Sequence, residues 1–103
     1  MTITTRLEVY PENAPVPMTW EKAVEYCKSL GEGWRLPTKD ELNKMYENKD
    51  KLGGFGEGWL WSSSQYANYY AWIQRFSDSI QDTNSKDSRY AVRACRAFTD
   101  ITI

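Results

Sequence analysis

The sequence predicts an α+β domain in which two helices precede a set of short antiparallel strands. Apolar residues recur at helical spacing in two stretches of the first half, and alternate with polar residues in three short stretches of the second. Glycine and proline clusters separate these stretches, and helices first with strands later is the α+β order. At 103 residues the chain is one domain long. Five Trp, seven Tyr and three Phe let a few large rings build its core.

From Thr2 to Val9, apolar and polar residues alternate well enough for an edge strand, and Pro11, Pro15 and Pro17 then impose an extended connection. Thr19 is placed to cap a helix over Trp20 to Leu30, in which Trp20, Ala23, Val24, Cys27 and Leu30 share a face before Gly31 ends it. Gly31, Gly33 and Pro37 bracket a tight segment. Thr38 and Glu41 then form a T-x-x-E capping box for a second helix with Leu42, Met45 and Tyr46 inward. The Gly53 to Gly58 stretch is too rich in glycine to continue it. Strands are expected around Trp59 to Trp61, from Ala71 to Phe76, and from Tyr90 to Phe98. The polar segment Ser77 to Arg89 reads as a loop, long enough to be functional or mobile.

Composition removes several classes of function. The formal net charge of -1 offers no attraction for nucleic acid or an anionic membrane. No apolar run is long enough to span a bilayer and no secretory signal is visible, which leaves surface display or virion attachment by other means open. Histidine is absent, and with it the commonest general base and zinc ligand. Asp78, Asp82, Asn84 and Asp87 do not have the spacing of a calcium loop, so no metal and no cofactor is expected. The Gly53 to Gly58 run lacks the Lys-Ser/Thr of a phosphate-binding loop. Arg35, Arg93 and Arg96 lie near aromatic residues; structural pairing is favoured over an anion site. Cys27 and Cys95 are too far apart for a CxxC motif, and stand as separate buried thiols or as one long-range pair.

The run Gly33-Trp34-Arg35-Leu36-Pro37-Thr38-Lys39-Asp40-Glu41-Leu42 follows a helix opening Thr19-Trp20. Trp61-Ser62-Ser63-Ser64 comes after it, and Val92-Arg93-Ala94-Cys95-Arg96-Ala97-Phe98 closes the series. In that order these segments resemble a bacterial, phage and archaeal branch of C-type-lectin-like domains, over residues 18 to 98 of a single domain spanning 1 to 103. The resemblance implies a first helix and a last strand side by side, hence Cys27 against Cys95. Whether the pair is an oxidised bridge is left to the redox compartment. The calcium-binding sugar motifs of lectins with this fold do not occur here, so calcium-independent binding is implied.

Within the branch the chain is most similar to variable proteins of diversity-generating retroelements. Error-prone copying at adenines in such systems turns AAC or AAT codons into codons for every amino acid except Lys, Glu, Gln, Met and Trp. Those five types fill 21 of the 61 positions before Ser62 but 5 of the 30 from Ser62 to Ala91. The five are Gln65, Trp72, Gln74, Gln81 and Lys86, which the resemblance reads as fixed residues; Trp72 and Gln74 fall on named positions of the W-S-S-S-x-x-x-x-x-x-A-W-x-Q-x-F pattern, and Gln81 and Lys86 in its following loop. The resemblance therefore implies a variable, ligand-binding set: Tyr66, Asn68, Tyr69, Tyr70, Ile73, Arg75, Asp78, Ile80, Asp82, Thr83, Asn84, Ser85, Asp87, Ser88 and Arg89. Trp61, Trp72, Phe76, Val92 and Phe98 would be scaffold.

Tyrosine offers wide contact area at low entropic cost, and Ser, Thr, Asn and Asp offer adaptable hydrogen bonds, the mix of an antibody paratope. Ile73 and Ile80 are expected as exposed apolar contacts. The branch often carries glycine at the position of Ser79, which leaves the geometry of that turn open. A non-catalytic receptor or ligand binder follows, with an unknown protein or cell-surface target, as a monomer or small homo-oligomer. The alternatives are a fixed-sequence adhesion or structural module of the same fold and, less favoured, a relative of formylglycine-generating enzymes.

Overall fold

The computed structural model describes the backbone of residues 2–102 and the side chains of residues 6–97. Phe98, expected as scaffold, and residues 99–103 thus lie outside the described side chains. Eight elements follow in order: β1 (Thr2–Val9), α1 (Trp20–Ser29), α2 (Lys39–Glu47), α3 (Lys49–Leu52), β2 (Trp59–Ala67), β3 (Tyr70–Arg75), β4 (Gln81–Ser85) and β5 (Cys95–Thr102). β1 and β5 form an antiparallel ribbon, and β2-β3-β4 form a separate antiparallel sheet. The α+β prediction holds.

Local chemistry explains most element limits. The Thr38 side chain accepts from the Glu41 backbone N–H while the Glu41 carboxylate accepts from the Thr38 N–H, so the expected capping box is complete. Arg35 clamps the same carboxylate through Nη1 at 2.7 Å and Nη2 at 3.0 Å, fixing the tight turn before α2. Thr19 occupies the N-cap of α1 but makes no side-chain cap bond. The Trp20 N–H donates instead to the Lys86 carbonyl at 3.0 Å, so a distant loop closes the first turn.

Two expectations about strands change. The segment read as one polar loop contains β4, which pairs residue for residue with β3 from Gln74↔Gln81 to Tyr70↔Ser85. Its residues carry little apolar signal because their contribution to the sheet is main-chain pairing. The last strand begins at Cys95 and not at Tyr90. Residues 90–94 run extended through the molecule, bonded in turn to Met18, Ala14 and Tyr10, with a single parallel bridge from Ala91 to Leu60.

The core is in two parts. Ala23 and Cys27 of α1 pack with Leu36, Trp61, Ala71, Ile73, Val92 and Ala94, while Leu42 and Met45 of α2 pack with Phe55, Leu60 and Phe76. Neighbouring residues of β2 point to opposite sides, which is why Leu60 and Trp61 serve different clusters. Each half therefore grips β2 from its own side, and β3 adds Ala71 and Ile73 to the first.

Arg93 is 1% exposed and bonds no carboxylate among the described residues. Its Nε donates to Asn13 Oδ1 at 2.8 Å, Nη1 to the Tyr10 carbonyl at 3.2 Å and Nη2 to the Gly53 carbonyl at 2.9 Å, and the guanidinium lies 4.0 Å from the centre of the Phe55 ring. Burial lowers its pKa, yet a guanidinium remains charged. It ties the proline-rich connection, the glycine-rich loop and the 90–94 segment together. Gly54 has φ +77° and a Cβ there would come within 3.2 Å of Arg93 Nη2, so the loop needs glycine at that point.

Candidate functional site

The W-S-S-S run lies where the β2–β3 ladder breaks register between Trp61 and Gln65. Serine hydroxyls replace the missing ladder bonds: Ser62 Oγ donates to the Trp72 carbonyl at 2.8 Å, and Ser64 Oγ accepts from the Lys39 N–H at 2.9 Å. Trp61 Nε1 donates to the Met18 carbonyl and Trp20 Nε1 to the Ser62 carbonyl, so both indoles are satisfied. This bulge joins the end of β2 to both helices and aims the β2–β3 turn outward.

On that turn stand the tyrosines. Tyr66, Tyr69 and Tyr70 are 65%, 78% and 46% exposed, with Asn68 exposed between them. Tyr66 meets the half-buried Trp72 edge-on at 6.0 Å. The turn is tied to the chain after β4 by Lys86, whose N–H donates to the Tyr69 carbonyl and whose Nζ donates to Gln65 Oε1 at 2.6 Å and the Asn68 carbonyl at 2.9 Å. Lys86 Nζ also lies 4.4 Å from the centre of the Trp20 ring. A shallow cleft of about 280 Å³ opens here between Thr19 and Glu21 on one side and Asn68, Tyr69, Lys86 and Asp87 on the other. Ser85, Asp87 and Ser88 border the same region, and Arg89 beyond them is exposed.

Arg75, Asp78 and Ile80 belong elsewhere. They sit at the opposite end of the β3–β4 hairpin, five residues along β3 from Tyr70, which is about 17 Å. Arg75 forks onto Asp78 and lies over Trp59, and this partner holds the Asp78 carboxyl below its usual range. The Gln74 amide nitrogen donates to Asn43 Oδ1 at 2.8 Å and to the Ser79 carbonyl at 3.3 Å, while Gln81 Nε2 donates to the Lys39 carbonyl at 2.9 Å. Ser79 has φ 70°, a left-handed conformation in which glycine rests more easily.

The expected set is thus two groups joined by β4, on which Asp82 is exposed and Thr83 and Asn84 half-buried. One member is corrected: Ile73 is 3% exposed in the first core cluster, because odd positions of β3 face inward there. Ile80 is 48% exposed as expected. Asn84 faces inward in part, donating to Tyr90 Oη at 2.6 Å. The role of Trp20 beneath Lys86 was not read from the sequence, in which it appeared only as part of a helical stripe.

Cys27 and Cys95 are both buried and free, and burial pushes each thiol up to about 12, against the opposing pull of Arg35 on Cys95. Such thiols are poor nucleophiles at neutral pH. Arg35 and Arg96 pair with Glu41 and Glu8, the structural pairing favoured from sequence. No group of three or more Cys, Asp or Glu among the described residues could hold a metal ion, and no described helix is long and apolar enough to cross a membrane.

Residues 4–96 match the family described as the Lcl C-terminal domain. The chain belongs to that family. A solved structure similar to this Lcl C-terminal domain is EMS16, an antagonist of the collagen receptor integrin alpha2beta1 (GPIa/IIa), at 12% identity over 93% of this chain and 90% of that one, with a TM-score of 0.55. That likeness establishes the C-type-lectin-like fold and the fold alone. No curated protein matches the sequence. The Lcl C-terminal domain described here thus has a C-type-lectin-like scaffold.

Proposed function

We propose that the surface around Tyr66, Asn68, Tyr69, Tyr70, Ser85, Asp87 and Ser88 is a ligand-binding face, extended along β4 toward Arg75, Asp78 and Ile80, and that its residues are diversified by a retroelement. The target is a protein or a cell-surface ligand, recognised without catalysis. One observation carries the reading. The five residues of types that adenine randomisation cannot produce are those that fasten the variable segment to the scaffold: Lys86 and Gln65 bond each other beneath the turn, Trp72 lies 3.8 Å from Lys39 Nζ, and Gln74 and Gln81 bond to α2. Residues of reachable types supply the large exposed apolar and aromatic side chains of the segment, Tyr66, Tyr69, Tyr70 and Ile80. Change confined to those positions leaves the fastenings intact.

The test is genetic and structural together. The DNA segment encoding residues 62 to 98 is sequenced across a population of the source, and its surroundings are searched for a near-copy and a reverse-transcriptase gene. Substitutions concentrated at the exposed positions, with Gln65, Trp72, Gln74, Gln81 and Lys86 unchanged, are expected. An even spread of substitutions, or absence of the near-copy, removes the diversification and leaves a fixed binding module.

A further inference from the structure

The last turns of α2 meet β1 across a groove that shares no residue with the tyrosine surface. Its volume is about 310 Å³ and its lining is chiefly apolar. Leu7 and Val9 of β1 form one wall, the buried Met45 forms the floor, and Leu52 of α3, 36% exposed, forms the far lip. Met45 belongs to the second core cluster and Val9 packs against it, so the groove is an open end of that core. A hydrocarbon seated there extends the core and takes apolar surface out of water. Met45 is unbranched and adapts to the shape of what lies on it.

Charge is arranged by depth. Lys44 and Lys51 line the groove, are exposed, and form no ion pair among the described residues. A lysine keeps its ammonium in water while its stem covers apolar surface, so both charges stand at the mouth. No carboxylate among the described residues lines the groove, and the remaining polar side chain, Asn48, is engaged: its Nδ2 donates to the Lys44 carbonyl at 2.8 Å. The groove is thus apolar below and cationic above, which matches a molecule with a hydrocarbon body and one anionic end. A second copy of the chain does not match, because a two-fold contact through this surface sets Lys44 and Lys51 against the same lysines with no carboxylate between them. The volume is at the lower limit of small-molecule pockets, about 300 Å³, which leaves room for one short chain and not for the two chains of a phospholipid.

We propose that this groove binds a single-chain fatty carboxylate, with its hydrocarbon along Leu7, Val9, Met45 and Leu52 and its carboxylate at the mouth beside Lys44 and Lys51. The inference does not rest on the reading of the tyrosine face.

Calorimetric titration of the full chain with hexanoate, octanoate and decanoate, each below its micelle-forming concentration, tests it, with octan-1-ol and octyltrimethylammonium as controls for the head group. Each added methylene should tighten binding by up to about fourfold until the groove is full, the transfer free energy of one buried methylene. Octanoate should bind more tightly than octan-1-ol, and octyltrimethylammonium most weakly. Lys44→Gln with Lys51→Gln should weaken octanoate on the order of fivefold, the loss of two exposed ion pairs, and leave octan-1-ol unchanged. Leu52→Ser should flatten the dependence on chain length and keep the preference for the carboxylate. All three residues are exposed, so melting of the variants should match the parent. Octanoate should shift the methyl resonances of Leu7, Val9, Met45 and Leu52 and leave the rings of Tyr66, Tyr69 and Tyr70 in place. Equal affinity for the three head groups, no gain with chain length, indifference to the Lys→Gln pair, or shifts centred on the tyrosine rings overturns the proposal. So does retention of the chain on phosphatidylglycerol vesicles that octanoate does not release, which makes the lysines a membrane contact, or a sedimenting dimer that octanoate does not dissociate.

Discussion

Replacing Ser79 by glycine should stabilise the domain. Ser79 sits at φ 70° in the β3–β4 turn, where an L side chain costs about 1–2 kcal/mol relative to glycine. Its backbone N–H donates to the Arg75 carbonyl at 2.9 Å and its carbonyl accepts from Gln74 Nε2, bonds that glycine keeps. The hydroxyl makes no hydrogen bond among the described residues. Against the relief stands the extra freedom that glycine brings to the unfolded chain, about 0.4–1 kcal/mol. The difference leaves about 0.5–1 kcal/mol in favour of Ser79→Gly, or roughly 2–8 °C in the melting midpoint of a domain this size. Urea unfolding of the parent, Ser79→Gly and Ser79→Ala proteins measures it, the alanine variant retaining the Cβ and so the strain. A glycine variant no more stable than the parent, or an alanine variant that gains as much, would refute the reasoning.

Arg93→Met should cost about 3–5 kcal/mol in denaturant unfolding, because it leaves the Tyr10 and Gly53 carbonyls and Asn13 Oδ1 without their buried donor. Tyr66→Ala, Tyr69→Ala and Tyr70→Ala combined should move stability by about 1 kcal/mol or less while abolishing binding to whatever target is found; collapse of the fold instead would make them core residues. Arg35 holds the Glu41 carboxyl below its usual range, so the ion pair contributes stability above the ordinary carboxylate pKa and loses it as pH falls through the lowered one. Glu41→Gln should flatten the acid limb of a stability-against-pH curve. In the reduced protein, Cys27 and Cys95 should react with a thiol reagent only as fast as the chain opens, tracked by raising denaturant, because both are buried and poorly ionised.

The helices were legible because their signals are local. Thr38 and Glu41 cap within four residues, and the stripe of Leu42 and Met45 survives any tertiary arrangement. β4 was hidden because Gln81, Asp82, Thr83, Asn84 and Ser85 declare themselves only when β3 is beside them. The same dependence on a distant partner concealed Trp20 under Lys86, and the closing of the first turn of α1 by the Lys86 carbonyl, far along the chain. Ile73 misled for a different reason. Its neighbours Trp72 and Gln74 also point into packed regions, so β3 is lined on both sides and alternation alone could not say which face meets solvent.

Thr2 pairs with Thr102 at the far end of the ribbon, so the two lie within about 5 Å of each other. A domain with that property behaves as a cassette. It can be spliced into a surface loop of an unrelated host without pulling the host's two ends apart, and removed again with equal ease.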